Sequence, residues 1–240
     1  MSCLEFAKEE AYIAIERGDC MESDLWRREY SCVIADPPYG MSYESNRVKD
    51  KAKRLGGVIG DSQPFIWFLK KAYDNMDVDG SIVCFCHDRS FGDFKRACEI
   101  AGFTYRSQLV WDRMVHGMGN LKSSFGPRHD LAVFATKGKF EFPGKRPKSV
   151  LAHQRVSPSK MTHPTEKPVC LLEDLINHLT REGDIVLDPF MGSGSTGVAA
   201  CNLRRGFIGI ELDEGHYREA SRRICEASGK ESVGPISWSD

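Results

Sequence analysis

The chain has 240 residues, of which 41% are hydrophobic, so it can bury a sizeable core and fits one α/β domain better than two. Its acidic first segment lacks a signal-peptide pattern, and no apolar run approaches the ~18 residues of a membrane span, so we expect a cytoplasmic protein. A formal net charge of −1 excludes a globally basic surface but not local basic clusters. Nine cysteines without a CxxC pair indicate reduced thiols.

Strand and helix signals alternate along the chain, which predicts parallel βαβ units. In chain order the predicted elements are strand 11–16, strand 31–36, helix 62–76, strand 81–86, helix 90–102, strands 107–113 and 131–138, helix 165–180, strand 184–188, helix 194–204, strand 206–211 and helix 213–227. The strands at 107–113 and 131–138 flank a loop containing Gly and Ser, which predicts an antiparallel pair. The segment 138–162 is rich in Pro, Lys and Ser and predicts an irregular excursion.

A rigid polar corner, "ADPPYG" (35–40), follows the second predicted strand, at the strand end where parallel sheets bind ligands. Asp36 offers an acceptor, Pro37 and Pro38 fix the backbone, and Tyr39 offers a stacking face. These groups suit a planar exocyclic amine. Hydrogen bonds from the amine to the Asp36 carboxylate and the Pro37 carbonyl favour a pyramidal nitrogen whose lone pair faces an electrophilic methyl. A base in a duplex must flip out to reach this corner. The alternative is a purely structural turn.

A glycine-bearing turn, "LDPFMGSGSTGVAA" (187–200), opens a predicted helix. Glycines let the backbone approach a ligand, and free helix N–H groups suit a carboxylate or phosphate. The match of this turn to GxGxxG is weak by itself, and the P-loop lysine is missing. Glu211 ends the next predicted strand, 23 residues after Asp188, where an acid can bind the ribose of an adenosine cofactor.

The residues alone leave several functions open. A nicotinamide dinucleotide would explain the glycines and Glu211 but leaves the "DPPY" corner idle. S-adenosylmethionine has a sulfonium, an ammonium and a carboxylate, which suit Asp188 and the helix N–H donors. A non-catalytic DNA-binding module is a third hypothesis, against which the intact Asp36 and Asp188 argue.

Four segments in one characteristic order resemble the β-class of S-adenosylmethionine-dependent DNA amino-methyltransferases. They are "ADPPYG", "HPTEKP" (163–168), "LDPFMGSGSTGVAA" and "GIELDEGHY" (209–217). The resemblance runs from about residue 16 to about residue 225, with "HD" at 129–130 where the family more often has "HE". It implies a single domain over 1–240 with an α/β Rossmann-like fold, a mostly parallel sheet, an antiparallel edge pair and a circularly permuted motif order.

The resemblance also implies roles for individual residues. The catalytic set is Asp36, Pro37, Pro38 and Tyr39. The cofactor-binding set is Asp19, Asp36, Thr165, Lys167, Asp188, Pro189, Phe190, Gly192, Gly194, Thr196 and Glu211. Thr165 and Lys167 equally suit a helix start, and Asp19 suits a turn. For "CFCH" (84–87) we predict buried thiols and no metal, because the ligands are too few and poorly spaced.

The activity that the resemblance implies is direct methyl transfer to the exocyclic amine of a flipped base in duplex DNA, with no covalent enzyme intermediate. Adenine N6 is preferred to cytosine N4, because "DPPY" in the family favours adenine, whereas serine in the aspartate's place favours cytosine.

A DNA partner gives the basic stretches 47–54 and 145–160 a role as phosphate contacts, where isolated basic runs are usually solvated loops. The candidate DNA-binding residues are Arg47, Lys49, Lys51, Lys53, Arg54, Arg113, Lys122, Arg128 and Arg155. The first five lie in a predicted mobile loop that closes on phosphates near the flipped base. The embedded recognition region, 112–162, is short, which predicts a short target, relaxed specificity or a second subunit in a homodimer. Trp111 and Phe125 suit either the core or stacking near DNA.

Overall fold

The computed structural model describes residues 11–40, 63–117, 122–123, 125–157 and 166–233, and within them the strands form an eight-stranded sheet of order β1-β8-β7-β2-β3-β5-β4-β6. The strands are β1 (Ile13–Arg17), β2 (Cys32–Ala35), β3 (Gly80–Cys86), β4 (Thr104–Asp112), β5 (His129–Lys137), β6 (Val150–Ala152), β7 (Ile185–Asp188) and β8 (Gly206–Glu211). The helices are α1 (Phe68–Asn75), α2 (Phe91–Ala101), α3 (Val169–Leu179), α4 (Ser195–Asn202) and α5 (Glu214–Ser228), with a 3-10 turn at Asp24–Arg27.

The predicted α/β fold with a mostly parallel sheet and an antiparallel pair is confirmed. In the described part of the sheet, β5 runs antiparallel to both neighbours, β3 and β4, and the remaining pairs are parallel. The short β6 pairs with β4 and takes the outermost position. It lies inside the segment predicted to be irregular, because three residues give no periodic signal.

Helices cover both faces of the sheet, which explains why β2 and β3 are buried along their whole length. One core cluster joins the sheet to α3, α4 and α5, with Leu171, Ala199 and Ile224 among its members. The other joins it to α1 and α2, through residues such as Phe68 and Phe94. Three layers therefore leave the strand ends and their loops as the surfaces available to a ligand. In the described ranges, no helix has the length and apolarity needed to cross a membrane.

Two helices begin later than the sequence pattern predicts. The helix expected over 62–76 begins at Phe68, because residues 63–67 instead brace the polar corner: Pro64 forms an antiparallel bridge with Tyr39. The helix expected over 165–180 begins at Val169, with Pro168 as its N-cap. The proline has no N–H to leave unsatisfied at that position, so it suits a helix start.

The two chemical motifs meet at one edge because their strands are neighbours. β2 pairs in parallel with β7, with Cys32 opposite Val186 and Val33 opposite Leu187. The chain leaves both strands at their carboxyl ends, so the loop after Ala35 and the loop after Asp188 lie side by side. The catalytic strand precedes the cofactor strand along the chain, which confirms the permuted motif order.

Candidate active site

The corner after β2 is held rigid by the segment that precedes α1. The Phe65 N–H donates to the Pro38 carbonyl at 3.0 Å, beside the bridge between Tyr39 and Pro64. Gly40 follows with φ of 78°, and a side chain there would meet Pro64 at 2.6 Å. Glycine is therefore needed at position 40 for both conformation and space. The result is a fixed backbone behind Asp36.

Both oxygens of the Asp36 carboxylate have partners inside the protein. The Tyr39 hydroxyl donates to Oδ1, and Lys167 Nζ donates to Oδ2 at 2.5 Å. Burial, and then the charge of Asp36, raise the pKa of Tyr39 well above its ordinary value, so the hydroxyl keeps its proton and acts as a donor. This arrangement aims the carboxylate and leaves part of its acceptor capacity free, because a carboxylate has about four lone-pair sites.

Asp188 at the end of β7 is the most deeply buried acid of the site, with 4% of its surface exposed. It accepts from the Phe190 N–H at 3.0 Å and from the Thr196 hydroxyl at 2.6 Å. Burial raises its pKa from 3.8 to about 7 against these hydrogen bonds, and the charges of Asp36 and Glu211 add to the rise. A buried acid of this kind favours a cationic ligand, which would restore the ionised form.

Glu211 at the end of β8 connects the strand end to the glycine turn. Its carboxylate accepts from the backbone N–H groups of Gly192 at 2.9 Å and Asp213 at 2.8 Å. Burial nevertheless raises its pKa. The Gly18 N–H donates to the Glu211 carbonyl, which brings the end of β1 alongside. There the Asp19 side chain accepts from the Met21 N–H at 2.8 Å and so closes a turn; its role toward a cofactor stays a prediction.

The glycines of the turn serve two different purposes. Gly192 and Gly194 have φ of 52° and 80°, the left-handed region that glycine tolerates. A side chain at position 194 would meet Ala220 at 2.9 Å, and one at position 197 would meet Ile224 at 2.5 Å. Gly194 and Gly197 therefore allow α4 to pack closely against α5. The sequence pattern had suggested instead that these glycines let the backbone approach a ligand.

An ion pair that the sequence analysis missed braces this turn from behind. Arg223 of α5 donates to the Ser193 carbonyl at 2.8 Å and lies 3.1 Å from Glu166, whose side chain is 5% exposed. Glu166 precedes Lys167, so this ion pair joins the glycine turn to the segment that contacts Asp36. No sequence signal separates Arg223 from its exposed neighbour Arg222, because both lie in one charged helical run.

The carboxylates at this edge of the sheet suit a cationic adenosine cofactor. Four strands that are adjacent in the sheet end with an acid: Asp19 after β1, Glu211 on β8, Asp188 on β7 and Asp36 after β2. At the β1–β8 end of this row, the carboxylates can bind ribose hydroxyls. The buried Asp188 on β7 suits a sulfonium. Among the described residues, no group of three or more His, Cys, Asp or Glu side chains could hold a metal ion.

Comparison with known proteins agrees with this geometry. The N6/N4 methyltransferase family model, described as "DNA methylase", matches residues 30–222. The chain belongs to this family of DNA amino-methyltransferases. The methylase is 33% identical to the methylase designated YubD of Escherichia coli (strain K12), over 87% of this chain and 88% of the relative. It is 28% identical to the type II methyltransferase M.HpaI of Haemophilus parainfluenzae, over 88% of this chain and 73% of that enzyme.

Solved structures extend the comparison to the fold. The crystal structure of an M1.HpyAVI–SAM complex superposes with a TM-score of 0.70 at 26% identity, covering 88% of this chain and 98% of that one. The cytosine-N4-specific PvuII DNA methyltransferase superposes with a TM-score of 0.69 at 18% identity, covering 92% of both chains, and shares the fold. The family is S-adenosylmethionine-dependent, so the carboxylates at the strand ends and the comparisons agree on the cofactor.

The structure of the methylase brings most of the predicted site residues together. Asp36, Tyr39 and Lys167 form one group, and Asp188, Phe190, Gly192, Thr196 and Glu211 form a second beside it. The Phe190 ring packs edge-on against Phe68 at 4.9 Å. Other predicted residues lie outside the described part of the chain, namely Arg47, Lys49, Lys51, Lys53, Arg54 and Thr165. Cys84 and Cys86 are buried thiols, as predicted.

The end of β4 and the start of β5, with the described residues next to them, lie at the same edge of the methylase. The Arg128 guanidinium makes two hydrogen bonds, of 2.6 and 2.8 Å, to the Asp112 carboxylate, while Arg113 donates to the Pro127 carbonyl at 2.7 Å. These candidate DNA-binding residues therefore also stabilise the base of the connection. Lys122 is exposed. Arg155 is half-buried, and its backbone N–H donates to the Arg113 carbonyl at 3.4 Å.

The two aromatic residues left open by the sequence differ in the structure. Trp111 is 4% exposed and donates its indole N–H to the His153 carbonyl at 2.8 Å, so it belongs to the core. Phe125 is completely exposed in the connection between β4 and β5. Phe125 therefore does not belong to the core, and its role toward DNA stays a prediction.

Proposed function

We propose that this methylase transfers the methyl group of S-adenosylmethionine to N6 of an adenine flipped out of duplex DNA. The observation that carries the proposal is the Asp36 carboxylate, fixed at the end of β2 beside the Tyr39 ring. An ionised carboxylate accepts hydrogen bonds and donates none, which suits an amine with two N–H groups. The resemblance of "DPPY" to the adenine enzymes favours adenine over cytosine.

The corner would prepare the amine in two ways. The Asp36 carboxylate and the Pro37 carbonyl would accept its two N–H groups, which draws the nitrogen lone pair out of conjugation with the ring. The Tyr39 ring would stack on the base and hold it in place of its former neighbours in the duplex. The rigid backbone behind both groups supports this assignment, because positioning supplies much of the rate enhancement of such a reaction.

The cofactor would lie along the acids that follow β1, β8 and β7. Glu211 would bind the ribose hydroxyls, while Asp188 and Phe190 would line the methionine end together with the Gly192 turn. When bound, S-adenosylmethionine supplies an electrophilic methyl group on a cationic sulfur. The buried Asp188, whose pKa is raised to about 7, supports a position near that cation.

Double-stranded DNA would approach the edge that carries Asp36. We propose that the embedded region 112–162, including Lys122, Arg128 and Phe125, supplies recognition and phosphate contacts. The exposure of Lys122, Arg128 and Phe125 supports that role. The contribution of a second subunit stays a prediction.

The test is a transfer assay that identifies the modified base. The protein is incubated with labelled S-adenosylmethionine and a duplex library of random sequence, and the DNA is digested to nucleosides. We expect label in N6-methyladenosine, with Asp36→Asn lowering the rate by at least ~100-fold, because the variant replaces the charged acceptor. Asp93→Asn, at an exposed position in the first turn of α2, is the matched control and retains activity.

Each result bears on a different part of the proposal. Label in N4-methylcytidine would overturn the choice of adenine while leaving the amine chemistry intact. Full activity of Asp36→Asn would overturn the catalytic assignment. Absence of label from every DNA tested, with cofactor binding retained, would overturn the proposal of a duplex-DNA substrate.

A further inference from the structure

The catalytic corner contains a lysine whose partner is the catalytic carboxylate. Lys167 lies two residues before the start of α3, and its side chain is 8% exposed. Its Nζ lies 2.5 Å from Asp36 Oδ2 and 3.3 Å from the Tyr39 hydroxyl, which itself donates to Asp36 Oδ1. These three side chains form a closed set of hydrogen bonds, here called the Asp36–Tyr39–Lys167 cluster.

Aromatic faces complete the surroundings of the ammonium. Lys167 Nζ lies 4.8 Å from the centre of the Phe85 ring and 5.9 Å from the centre of the Tyr39 ring. A buried ammonium loses its hydration and needs a carboxylate or a π face in exchange. Lys167 finds both at the catalytic corner, so its charge is directed at Asp36.

Two acids on neighbouring strands act on the cluster through their charge. Asp188 lies on β7, close enough for the Asp36 charge to raise its pKa. The charge of Asp130 on β5, which pairs with Arg113 at 3.5 Å, raises the pKa of Tyr39. The thiols of Cys84 and Cys86 on β3 stay uncharged, because burial raises their pKa. Lys167 is the cation that pairs with the Asp36 carboxylate, and its position fixes the direction of the carboxylate oxygens.

We propose that Lys167 is a positioning residue that holds the Asp36 carboxylate in the orientation that accepts the N–H groups of the target amine. This inference rests on the proposed function, since it assigns Asp36 the acceptor role. A carboxylate has about four acceptor sites, so the two inner hydrogen bonds leave room for the amine. Lys167 acts through Asp36 and need not touch the substrate.

The cluster also argues against the alternative in which Lys167 binds the cofactor directly. Its ammonium has the same sign as a sulfonium, so a close contact between them would be unfavourable. Pairing with Asp36 neutralises the lysine and removes that conflict. The affinity for S-adenosylmethionine should therefore depend only weakly on Lys167, whereas kcat should depend on it strongly through the orientation of Asp36.

The experiment compares Lys167→Met with Lys167→Arg, which keeps the charge. For each variant kcat is measured at saturating S-adenosylmethionine, and the cofactor Kd is measured separately by calorimetry. We expect Lys167→Met to lower kcat by ~10- to 100-fold, because the carboxylate loses a charged hydrogen-bond donor, and Lys167→Arg to recover part of that loss. The cofactor Kd should change less than about threefold, since the Lys167 ammonium is already paired with Asp36.

A weakened cofactor Kd with an unchanged kcat in Lys167→Met would overturn the proposal and make Lys167 a cofactor ligand. A double-mutant cycle in urea between Lys167→Met and Asp36→Asn tests the ion pair without any turnover. Strongly non-additive losses, with Asp36→Asn relieving part of the cost of Lys167→Met, support the inference even if the wild type methylates no DNA tested. Additive losses overturn it. Failure of the proposed function is thus distinguished from failure of this inference.

Discussion

Replacement of Asp188 by asparagine should change how stability depends on pH. The carboxylate is almost completely buried, and burial raises its pKa from 3.8 to about 7. The asparagine side chain would keep the acceptor for the Phe190 N–H and offer an amide to Thr196, so the packing is conserved. The variant removes the ionisation and reverses the hydrogen bond with Thr196, and of these two changes only the loss of ionisation depends on pH.

The sign follows from the direction of the shift. Because the folded pKa is above the unfolded one, the folded state binds more protons between pH ~4 and ~7, and the free energy of unfolding falls as the pH rises through that range. Each pH unit is worth ~1.4 kcal/mol, so the buried charge costs about 4 kcal/mol above pH 7. Between pH 5 and pH 8 the wild type should therefore lose about 3 kcal/mol that Asp188→Asn retains.

Urea unfolding of the cofactor-free protein at pH 5, 6, 7 and 8 measures the effect. The stability difference between Asp188→Asn and wild type should move in favour of the variant by about 3 kcal/mol across the series. Asp93→Asn, an exposed control, should follow the wild type. Parallel curves for Asp188→Asn and wild type would refute the reasoning, because they would mean that Asp188 does not titrate in this range.

Three further predictions concern the site. Tyr39→Phe removes the hydrogen bond to Asp36 but keeps the ring, so kcat should fall by ~10- to 100-fold while the DNA Kd is unchanged. An equal weakening of kcat and of DNA affinity would contradict separate roles for the hydroxyl and the ring. Arg223→Ala should weaken S-adenosylmethionine binding by at least ~10-fold in calorimetry, whereas Arg222→Ala next to it should not, because Arg223 alone of the two holds the glycine turn. Phe125→Ala should weaken duplex binding by ~5- to 100-fold in a fluorescence titration and leave the cofactor Kd intact; an unchanged DNA Kd would remove Phe125 from the interface.

Strand ends were the part of the site that could be predicted from the sequence. Asp36, Asp188 and Glu211 each follow a short apolar run, and parallel strands bring such positions to one edge whatever the details of the helices. Local patterns could therefore identify the edge and its chemistry. The family resemblance added the order of the motifs, which the sheet confirms.

Contacts between distant segments could not be predicted in the same way. Lys167 and Asp36 are 131 positions apart, and the segment around Lys167 equally suits a helix start. The predicted start of α1 was wrong because of such a distant contact. Residues 63–67 have the apolar spacing of a helix, but in the structure they pack against the corner after β2. Gly194 and Gly197 were predicted correctly as glycine positions of a turn, but for a different reason. A ligand motif and close helix packing both require glycine, so the sequence pattern does not distinguish them.

The row of acids gives the site a single preferred ligand charge. Adjacent strands are ~4.8 Å apart, so the ends of β1 and β2, with β8 and β7 between them, span about 14 Å. Carboxylates this close raise one another's proton affinity, and the charges of Asp36 and Glu211 add to the effect of burial on the raised pKa of Asp188. Lys167 relieves the repulsion at the Asp36 end. At Asp188 a cationic ligand would relieve it, so cofactor binding should release a proton near pH 7 and tighten as the pH rises. Calorimetry in buffers of different ionisation enthalpy would count that proton, and binding without proton release would mean that the cation lies elsewhere.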